Sequence, residues 1–538
     1  MPFEHNEHFR FGSAGFSSAT DAERAGMFTR TPDSLLLAFM GERPLLWNGP
    51  GGVLITAGAR GGKLRDLLAY NVCTGIHDLS ALILDMKGEL AAISRNQVPA
   101  GKSCIYWNPC RLHGLPANRI NPVDYVRKDS PTLISDVKVL AENMIPHTGA
   151  PQAVFFESRA RELLEALILT VVEMDGVLTL PRLYWAVNLI MGGGQAWLDF
   201  AFEISESVHQ SVRRVEEEIA ASRESEGGGF RGIMGELFKA FAPLSDPVLM
   251  DSVSPPFDFS LSELCERGRT YHLYLMPPAE FVQAWGPIIK AMLVGAMIYK
   301  SRAAQAPRQT WILDECAQLG AFPLLVKLFT YGAGIGVRPV AVFQSLHQMK
   351  ALGPDADNIV TASAAVRVAF AIRDLDSAST YSRMLGAQTL QYDDTLAQSR
   401  SRLAQQQTLL ALLEGEDPVA AGLRAAHHAQ AAEQRTKSHR WLRTPDEVLN
   451  MSGRYALVFA DGLEHPIYAD RRPFFDERFM AGRFHPNPYV AGRQDAVRIR
   501  TRLGHAWRRV ITEPVPPHHA HLPQYADGMW SYIEGFRP

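Results

Sequence analysis

The sequence predicts an α/β protein built on a parallel sheet, with an all-α domain inserted into it. Short β-branched runs end in glycine or polar turns and are separated by helix-length segments. Between residues 135 and 251 these runs disappear and amphipathic helical periodicity replaces them. We therefore expect the sheet domain to consist of two parts, residues 50–134 and 252–480, on either side of the all-α domain.

The individual elements follow from local patterns. Helices are predicted over 64–70, 159–168 and 212–221. A segment at 396–438, rich in Ala, Gln and Arg without a strong apolar stripe, predicts a mobile helical excursion. The predicted strands run over 51–56, 81–84, 103–107, 271–276, 309–313, 337–344, 366–371 and 455–460.

Composition limits the class of protein. A chain of 538 residues with 46% hydrophobic content can bury more than one core. A net charge of −3 argues against a uniformly basic surface, although local Arg and Lys can still bind a phosphate backbone. Five scattered cysteines without a Cys-x-x-Cys pair predict neither disulfides nor a zinc site.

Hydropathy predicts no membrane-spanning helix, including in the N-terminal segment 1–49. The longest apolar run, Ile288 to Tyr299, contains Lys290 and falls short of the roughly 20 residues that span a bilayer. The first residues lack the basic flank and apolar stretch of a signal peptide. A cytoplasmic location is the resulting expectation.

A glycine-flanked lysine follows the first strand of the sheet. Lys63 would neutralise β- and γ-phosphates, and the alternative is a solvated lysine on a glycine turn. Leu64 stands where the generic pattern has a Ser or Thr hydroxyl that binds Mg²⁺, so nucleotide binding fits the loop better than fast hydrolysis. The predicted nucleotide-binding residues are Gly58, Ala59, Arg60, Gly61, Gly62, Lys63 and Leu64.

A second motif lies some 250 positions later, where the apolar strand 309–313 ends in two acids. Asp314 would hold Mg²⁺ through water and Glu315 would act as the catalytic base, whereas the alternative is a pair of capping acids. Gln344, at the end of another strand, would sense the γ-phosphate or place water, or would be an ordinary polar strand end. ATP and Mg²⁺ are the expected cofactors.

Several motifs agree in order and spacing with one family. The loop from Ala57 to Lys63 is similar to the family's Ala-Pro-Thr-Arg-Ser-Gly-Lys, and Leu84 to Leu90 is similar to Leu-Asp-Pro-Lys-Gly-Glu-Leu. The other matching segments are 106–109, 119–122, 313–320, 331–338, 343–349 and 442–448. Across residues 30 to 480 the chain resembles the TraG/TraD type of type IV secretion coupling protein, the RecA-like P-loop ATPase of conjugative DNA transfer.

The resemblance implies a machine that assembles as a homo-hexamer and drives a substrate towards a secretion or conjugation channel. That substrate would be single-stranded DNA, a relaxase–DNA complex or an effector protein. The partners would include membrane-embedded secretion components, at which the chain would dock on the inner membrane. Family members often carry Gly at the position of Leu64, so its lack of a hydroxyl is partly a family trait.

Four further charged features are open at this stage. Arg338 and Arg373 could act as arginine fingers towards a neighbouring subunit, with surface ion pairs as the alternative. Asp85 and Lys87 are expected to form a structural pair beside the site. The basic, Pro/His/Arg-rich tail at 481–538 carries six arginines around Trp507; it could bind phosphate and stack a base, or be a solvated, partly disordered tail.

Two other functions compete with the motor. A slow or inactive ATPase could serve as a substrate receptor or assembly scaffold, which Leu64 favours. A chromosome-partitioning DNA pump of the FtsK type would not be expected to carry this helical insertion or the Asp-x-Lys-Gly-Glu motif.

Overall fold

The computed structural model describes residues 9–73, 78–95, 97–147, 153–192, 194–224, 228–415, 417–433 and 435–538. The chain divides into two units. The smaller unit comprises the chain up to Ser17, Arg373–Met451 and Glu464–Pro466, and the larger unit comprises the remainder.

Strands in the described ranges confirm every strand predicted from the sequence, with ends shifted by at most two residues. The strands are β1 (Leu35–Met40), β2 (Arg43–Trp47), β3 (Val53–Ala57), β4 (Ser80–Leu84), β5 (Lys102–Trp107), β6 (Thr270–Leu275), β7 (Gln309–Leu313), β8 (Val337–Phe343), β9 (Val366–Phe370), β10 (Ala387–Tyr392), β11 (Thr436–Trp441), β12 (Tyr455–Ala460), β13 (Ile467–Asp470), β14 (Ala496–Thr501), β15 (Gly504–Pro514) and β16 (Met529–Ile533).

Helices fill most of the connections between these strands. The helices are α1 (Ala19–Arg24), α2 (Ala69–Val72), α3 (Glu89–Ser94), α4 (Leu133–Met144), α5 (Val154–Asp175), α6 (Leu180–Gly192), α7 (Gly194–Ser205), α8 (Gln210–Glu224), α9 (Gly228–Phe241), α10 (Pro247–Ser252), α11 (Gly286–Arg302), α12 (Pro323–Ile335), α13 (Ala356–Ser363), α14 (Leu375–Leu385), α15 (Thr395–Leu413), α16 (Pro418–Glu433) and α17 (Pro445–Leu449). Of the helices described, none combines the length and the apolar character that crossing a membrane requires.

The larger unit contains a mixed sheet whose described strands have the order β2-β1-β13-β12-β9-β3-β8-β7-β4-β6-β5. From β9 to β5 the neighbours are parallel, and from β9 to β2 they are antiparallel. All residues of β3, β4, β7 and β8 are buried, as expected for parallel strands covered on both faces. This confirms the predicted α/β class.

Helices α4 to α10 occupy the stretch for which the sequence predicts an all-α domain. Their apolar faces share one continuous core with the sheet, in which Leu167 of α5 and Phe241 of α9 are buried together with Trp311 of β7. Helix α11, which contains the apolar run 288–299, is buried on nearly all sides in the same core. The inserted helices are thus anchored to the sheet domain by shared apolar burial.

In the smaller unit, β10 and β11 form an antiparallel pair. The predicted helical excursion at 396–438 consists mainly of α15 and α16, two consecutive helices that pack against each other. Helix α17 begins with a capping box in which Thr444 and Glu447 satisfy each other's backbone amides.

The C-terminal segment is folded, although the sequence left a partly disordered tail open. Strands β14, β15 and β16 form an antiparallel sheet within the larger unit. Five buried residues stabilise this region: Val98, Leu522, Tyr525, Trp530 and Tyr532. The aromatic residues of 522–532, which the Pro- and His-rich composition obscured, supply the apolar area that this sheet needs.

Candidate nucleotide site

Strand order brings the two predicted motifs together at one edge of the large sheet. β3 leads into the glycine loop and β7 leads into Asp314 and Glu315, while β8, which precedes Gln344, lies between them. All three strands are parallel, so their carboxyl ends meet at the same edge. Ligands of open α/β sheets bind at this edge.

Lys63 connects the motifs directly. Its Nζ lies 2.8 Å from Asp314 Oδ1 and 2.7 Å from Glu315 Oε1. The three side chains are about one-fifth exposed, so their charges are only partly screened by solvent. The ammonium group that would bind phosphate is therefore paired with the acids that would serve a metal and water.

The pKa values of the three groups reflect this arrangement. Burial alone would lower the pKa of Lys63, but its contacts with Asp314 and Glu315 raise it above the ordinary lysine value. Loss of hydration raises the pKa of Asp314 against the opposing effect of Lys63. Burial is the largest single influence on Glu315 and opposes its ionisation, but the hydrogen bond and charge of Lys63, together with the charge of Lys87 and a hydrogen bond from Gln344, outweigh burial and lower the pKa of Glu315.

Glu315 is held in place from several sides. Gln318 Nε2 donates to Glu315 Oε2 over 2.8 Å, and a hydrogen bond from the Gln344 side chain also lowers the pKa of Glu315. The Glu315 backbone is left-handed, with φ of 51°, a conformation that costs a non-glycine residue on the order of 1 kcal/mol. A strained acid held by Lys63, Gln318 and Gln344 is a preorganised group, as expected of a base that orients water.

The glycine loop is a tight turn. Gly61 N donates to Gly58 O over 2.9 Å, and a Cβ on Gly61 would approach that oxygen to 2.7 Å. Gly62 has φ of 84°, which favours glycine. Ala59 and Arg60 are exposed, and Leu64 is half-buried where the following helix begins. Amides at the beginning of a helix lack partners further back in it and can bind an anion, although here Asp66 N already donates to Gly62 O over 2.9 Å.

The helix after the loop begins as a π-helix over Leu64–Leu68, in which Ala69 N donates to Leu64 O, and continues as α2. Asp66 within this turn is buried and lies 2.6 Å from Arg471 Nη2 and 2.5 Å from Arg65 Nε. Arg471 also donates to the carbonyls of Gly61 and Gly453. The guanidinium therefore ties the glycine loop to its helix and to the chain end of β13.

Sequence reasoning missed this pairing of Asp66 and Arg471. The two residues are 405 positions apart, and only the burial of an acid directly after the lysine loop would have signalled a partner. Burial lowers the pKa of Arg471 to about 10, with Asp66 opposing that change. The guanidinium also lies 3.8 Å from the centre of the Phe370 ring, a cation–π contact.

Asp85 and Lys87 do not form the expected pair within the described residues. The Asp85 carboxylate accepts a hydrogen bond from Ala91 N over 2.8 Å, while Lys87 is exposed. Burial raises the pKa of Asp85 to about 7. The acid caps the first turn of α3 because Gly88, with φ of 66°, turns the backbone amides towards it.

Arg338 is not placed to be an arginine finger. It lies near the beginning of β8, at the opposite edge of the sheet from Gln344, and its side chain is fully buried. Its guanidinium donates to Gly49 O over 3.2 Å and to Thr310 Oγ1 over 3.0 Å, and burial lowers its pKa to about 9. A charge enclosed in this way cannot reach a neighbouring subunit. Arg373 is exposed, and its role stays a prediction.

The residues at this edge suit a nucleotide with a divalent cation. Asp314, Glu315 and Asp85 supply carboxylates to one region, and electrostatic repulsion from Asp314 contributes to the raised pKa of Asp85. Lys63 pairs with Asp314 and Glu315, and the charge of Lys87 also acts on both acids. Carboxylate oxygens are the ligands that Mg²⁺ prefers, but Leu64 offers no hydroxyl as a further ligand.

Comparison with known proteins agrees with the fold and the motifs. Curated proteins named conjugal transfer protein TraG are similar: one from Escherichia coli is 22% identical over 70% of this chain, and one from Rhizobium radiobacter is 27% identical over 78% of it. The chain spans 65% and 62% of the length of these relatives.

Solved structures show the same fold. The bacterial conjugative coupling protein TrwBdeltaN70 in its unbound form matches with a TM-score of 0.59 and 16% identity, over 87% of this chain and 96% of that one. TrwB in complex with ADP and Mg²⁺ matches with a TM-score of 0.58 and 16% identity, over 86% and 96% of the two chains. These matches confirm the RecA-like P-loop fold.

The model of the family described as type IV secretory system conjugative DNA transfer matches residues 9–494, which is most of the chain. This range includes the glycine loop, the Asp-Glu strand, Gln344 and the helical insertion. The match confirms the resemblance drawn from the sequence motifs, and the chain belongs to the type IV secretory system conjugative DNA transfer family.

Proposed function

We propose that this chain is the ATPase of a type IV secretion coupling protein, which recruits DNA or nucleoprotein and drives it to a secretion channel. One observation carries the proposal: Lys63 lies within 2.8 Å of both Asp314 and Glu315 at the carboxyl edge of a parallel sheet. The bound ADP and Mg²⁺ named for TrwB, which shares the fold, support ATP and Mg²⁺ as the cofactors.

The roles of the side chains follow from their contacts. Lys63 exchanges its carboxylate partners for phosphate oxygens when a nucleotide binds, since one ammonium group cannot remain fully paired with both. This exchange leaves the Asp314 carboxylate available to hold a divalent cation and Glu315 available to orient and deprotonate a water molecule. Gln344, which hydrogen-bonds Glu315, positions that acid. Mg²⁺, when bound, neutralises charge on the phosphate oxygens.

Leu64 affects the rate of hydrolysis, because it stands where the generic loop has a hydroxyl. A bound Mg²⁺ would find one protein ligand fewer than in the generic loop, because the aliphatic Leu64 replaces the hydroxyl. Burial raises the pKa of Asp314, and a divalent cation beside it would favour its charged form. We propose that hydrolysis proceeds through Asp314 and Glu315.

The DNA substrate is proposed from the names of the relatives and from surface charge. An open cavity of about 1040 Å³ borders the C-terminal sheet. Arg500, Arg502 and Arg508 line it, are exposed, and have no acidic partner among the described residues. The acids that also line it are paired with other residues: Glu42 and Glu477 with Arg472, and Asp476 with His505. Such an arginine cluster suits the phosphate backbone of single-stranded DNA. Assembly as a homo-hexamer, and work on the cytoplasmic side of the inner membrane beside membrane-embedded secretion components, belong to the same proposal.

Binding and hydrolysis of Mg-ATP by the purified chain test the proposal, with Lys63→Ala and Glu315→Gln as matched variants. Lys63→Ala should abolish binding, because the phosphates lose their cation. Glu315→Gln should bind ATP but not hydrolyse it. Wild-type binding without turnover would favour a receptor or scaffold, and no binding at all would exclude the site as a nucleotide site.

A further inference from the structure

A second cavity lies beside the glycine loop in the larger unit. Its volume is about 280 Å³, and Leu64 and Arg65, the two residues directly after Lys63, form part of its wall. The rest of the wall comes from the chain between Phe474 and Trp507, including the beginning of β14 and the middle of β15. The cavity therefore begins one residue away from the lysine that would bind phosphate.

The lining is aromatic and apolar, with few polar groups. Phe474, Phe475, Phe484 and Trp507 contribute rings, and Phe474 and Phe484 pack edge to face with their centres 4.8 Å apart. The polar or charged side chains of the same wall are Arg65, His485, Asn487, Arg493 and Arg498. Pockets with aromatic walls and a small number of polar groups typically bind flat, partly polar organic molecules.

Size and position narrow the choice of ligand. Whole-ligand pockets span roughly 300 to 1,000 Å³, so this cavity suits a fragment such as a base with its sugar. In a nucleotide the phosphates and the base are joined through the sugar. Because Leu64 and Arg65 directly follow Lys63 and line the cavity, a nucleoside placed there would be within reach of phosphates on the loop amides. Leu64 then has a positive role, because its side chain forms an apolar wall where a hydroxyl would not.

We propose that this cavity binds the nucleoside part of the nucleotide whose phosphates bind the glycine loop, with Trp507 and Phe475 contacting the base. The inference rests on the proposed nucleotide site and adds to it the residues that contact the base and so determine which nucleotide binds. Trp507 lies on β15, outside the residues 9–494 that the family model matches. The C-terminal sheet is thus a part of the nucleotide site that the family motifs do not contain.

The base contact is separable from the phosphate contact by comparing ATP with inorganic tripolyphosphate. Wild-type protein should bind ATP more tightly than tripolyphosphate in equilibrium titrations with Mg²⁺. Trp507→Ala should lower the affinity for ATP about tenfold, as expected for loss of one stacked base, and leave the affinity for tripolyphosphate unchanged. Trp507 is 54% exposed, so its removal creates no buried cavity.

Two further variants make the result specific. Phe475→Leu keeps apolar volume at a half-buried position. It should also lower the affinity for ATP and leave the affinity for tripolyphosphate unchanged. Trp441→Ala removes an exposed strand tryptophan of the smaller unit and should change neither affinity. Lys63→Ala should weaken both ligands.

The outcomes separate the two levels of the proposal. ATP that binds wild-type protein but is insensitive to both Trp507→Ala and Phe475→Leu would overturn the base pocket and leave the phosphate site standing. Equal affinities of wild-type protein for ATP and tripolyphosphate would also overturn the base pocket. Failure of wild-type protein to bind either ligand would overturn the phosphate site together with the pocket.

Discussion

Substitution of Glu315 by Gln should tighten nucleotide binding while it stops hydrolysis. In the proposed nucleotide site Lys63 exchanges Glu315, which it contacts at 2.7 Å, for phosphate, so this contact competes with nucleotide binding. The substitution removes the negative charge but keeps the shape of the side chain. The competing ion pair is therefore weakened without a cavity or a lost glycine-loop contact.

The size of the effect follows from the exposure of the pair. At 23% side-chain exposure, Glu315 lies between surface ion pairs, worth about 0 to 1 kcal/mol, and hydrogen bonds to charged groups, worth about 1.5 to 3 kcal/mol. A value of about 1.4 kcal/mol corresponds to a tenfold lower Kd for ATP. The gain should fall as ionic strength rises.

Isothermal titration of ATP into wild-type and Glu315→Gln protein measures this change. Gln318→Ala is the control, because it removes a hydrogen-bond partner of Glu315 and leaves the charge in place. Its Kd should stay close to the wild-type value. An unchanged or weaker affinity in Glu315→Gln would refute the account of Lys63 as a group shared between acids and phosphate.

Three other predictions concern stability and the corrected site. Arg471→Met should lower the free energy of unfolding in urea by about 3 kcal/mol, and Asp66→Asn in the same chain should restore part of it; additive losses would contradict the coupling. Burial raises the pKa of Asp85 to about 7, so the folded state binds more protons than the unfolded chain between pH 4 and 7, and stability falls as pH rises there. Asp85→Asn should flatten that slope in pH-dependent melting; an unaltered slope would assign it to other groups. Arg338→Met should leave the ATP affinity and the ATP turnover of folded protein unchanged, with folding checked by circular dichroism. Loss of turnover in folded Arg338→Met protein would instead indicate an arginine finger.

Local patterns were sufficient for most of the sheet. The strands before Lys63 and Asp314 are apolar runs that end in polar turns, so β3 and β7 could be predicted from sequence alone. Parallel packing then requires their ends to meet at one edge. The placement of Lys63 and the two acids at one edge follows from that rule, whereas their direct contact is visible only in the structure.

Long-range partners were beyond such patterns. Arg338 resembles a charged residue available for catalysis, and only the register of β8 shows that it is enclosed beside Gly49 and Thr310. Asp66 and Arg471 meet across 405 positions, which no local periodicity encodes. The strands β14 to β16 were masked by the basic composition of their exposed face, where Arg498 and Trp507 are cross-strand partners.

The central claim is that Lys63, Asp314 and Glu315 form one ATP-hydrolysing site whose turnover single-stranded DNA stimulates. Steady-state Mg-ATP hydrolysis by the full chain, measured with and without single-stranded DNA, tests it most directly. The account predicts turnover that DNA stimulates and that both Lys63→Ala and Glu315→Gln abolish. Turnover that persists in Glu315→Gln would contradict it.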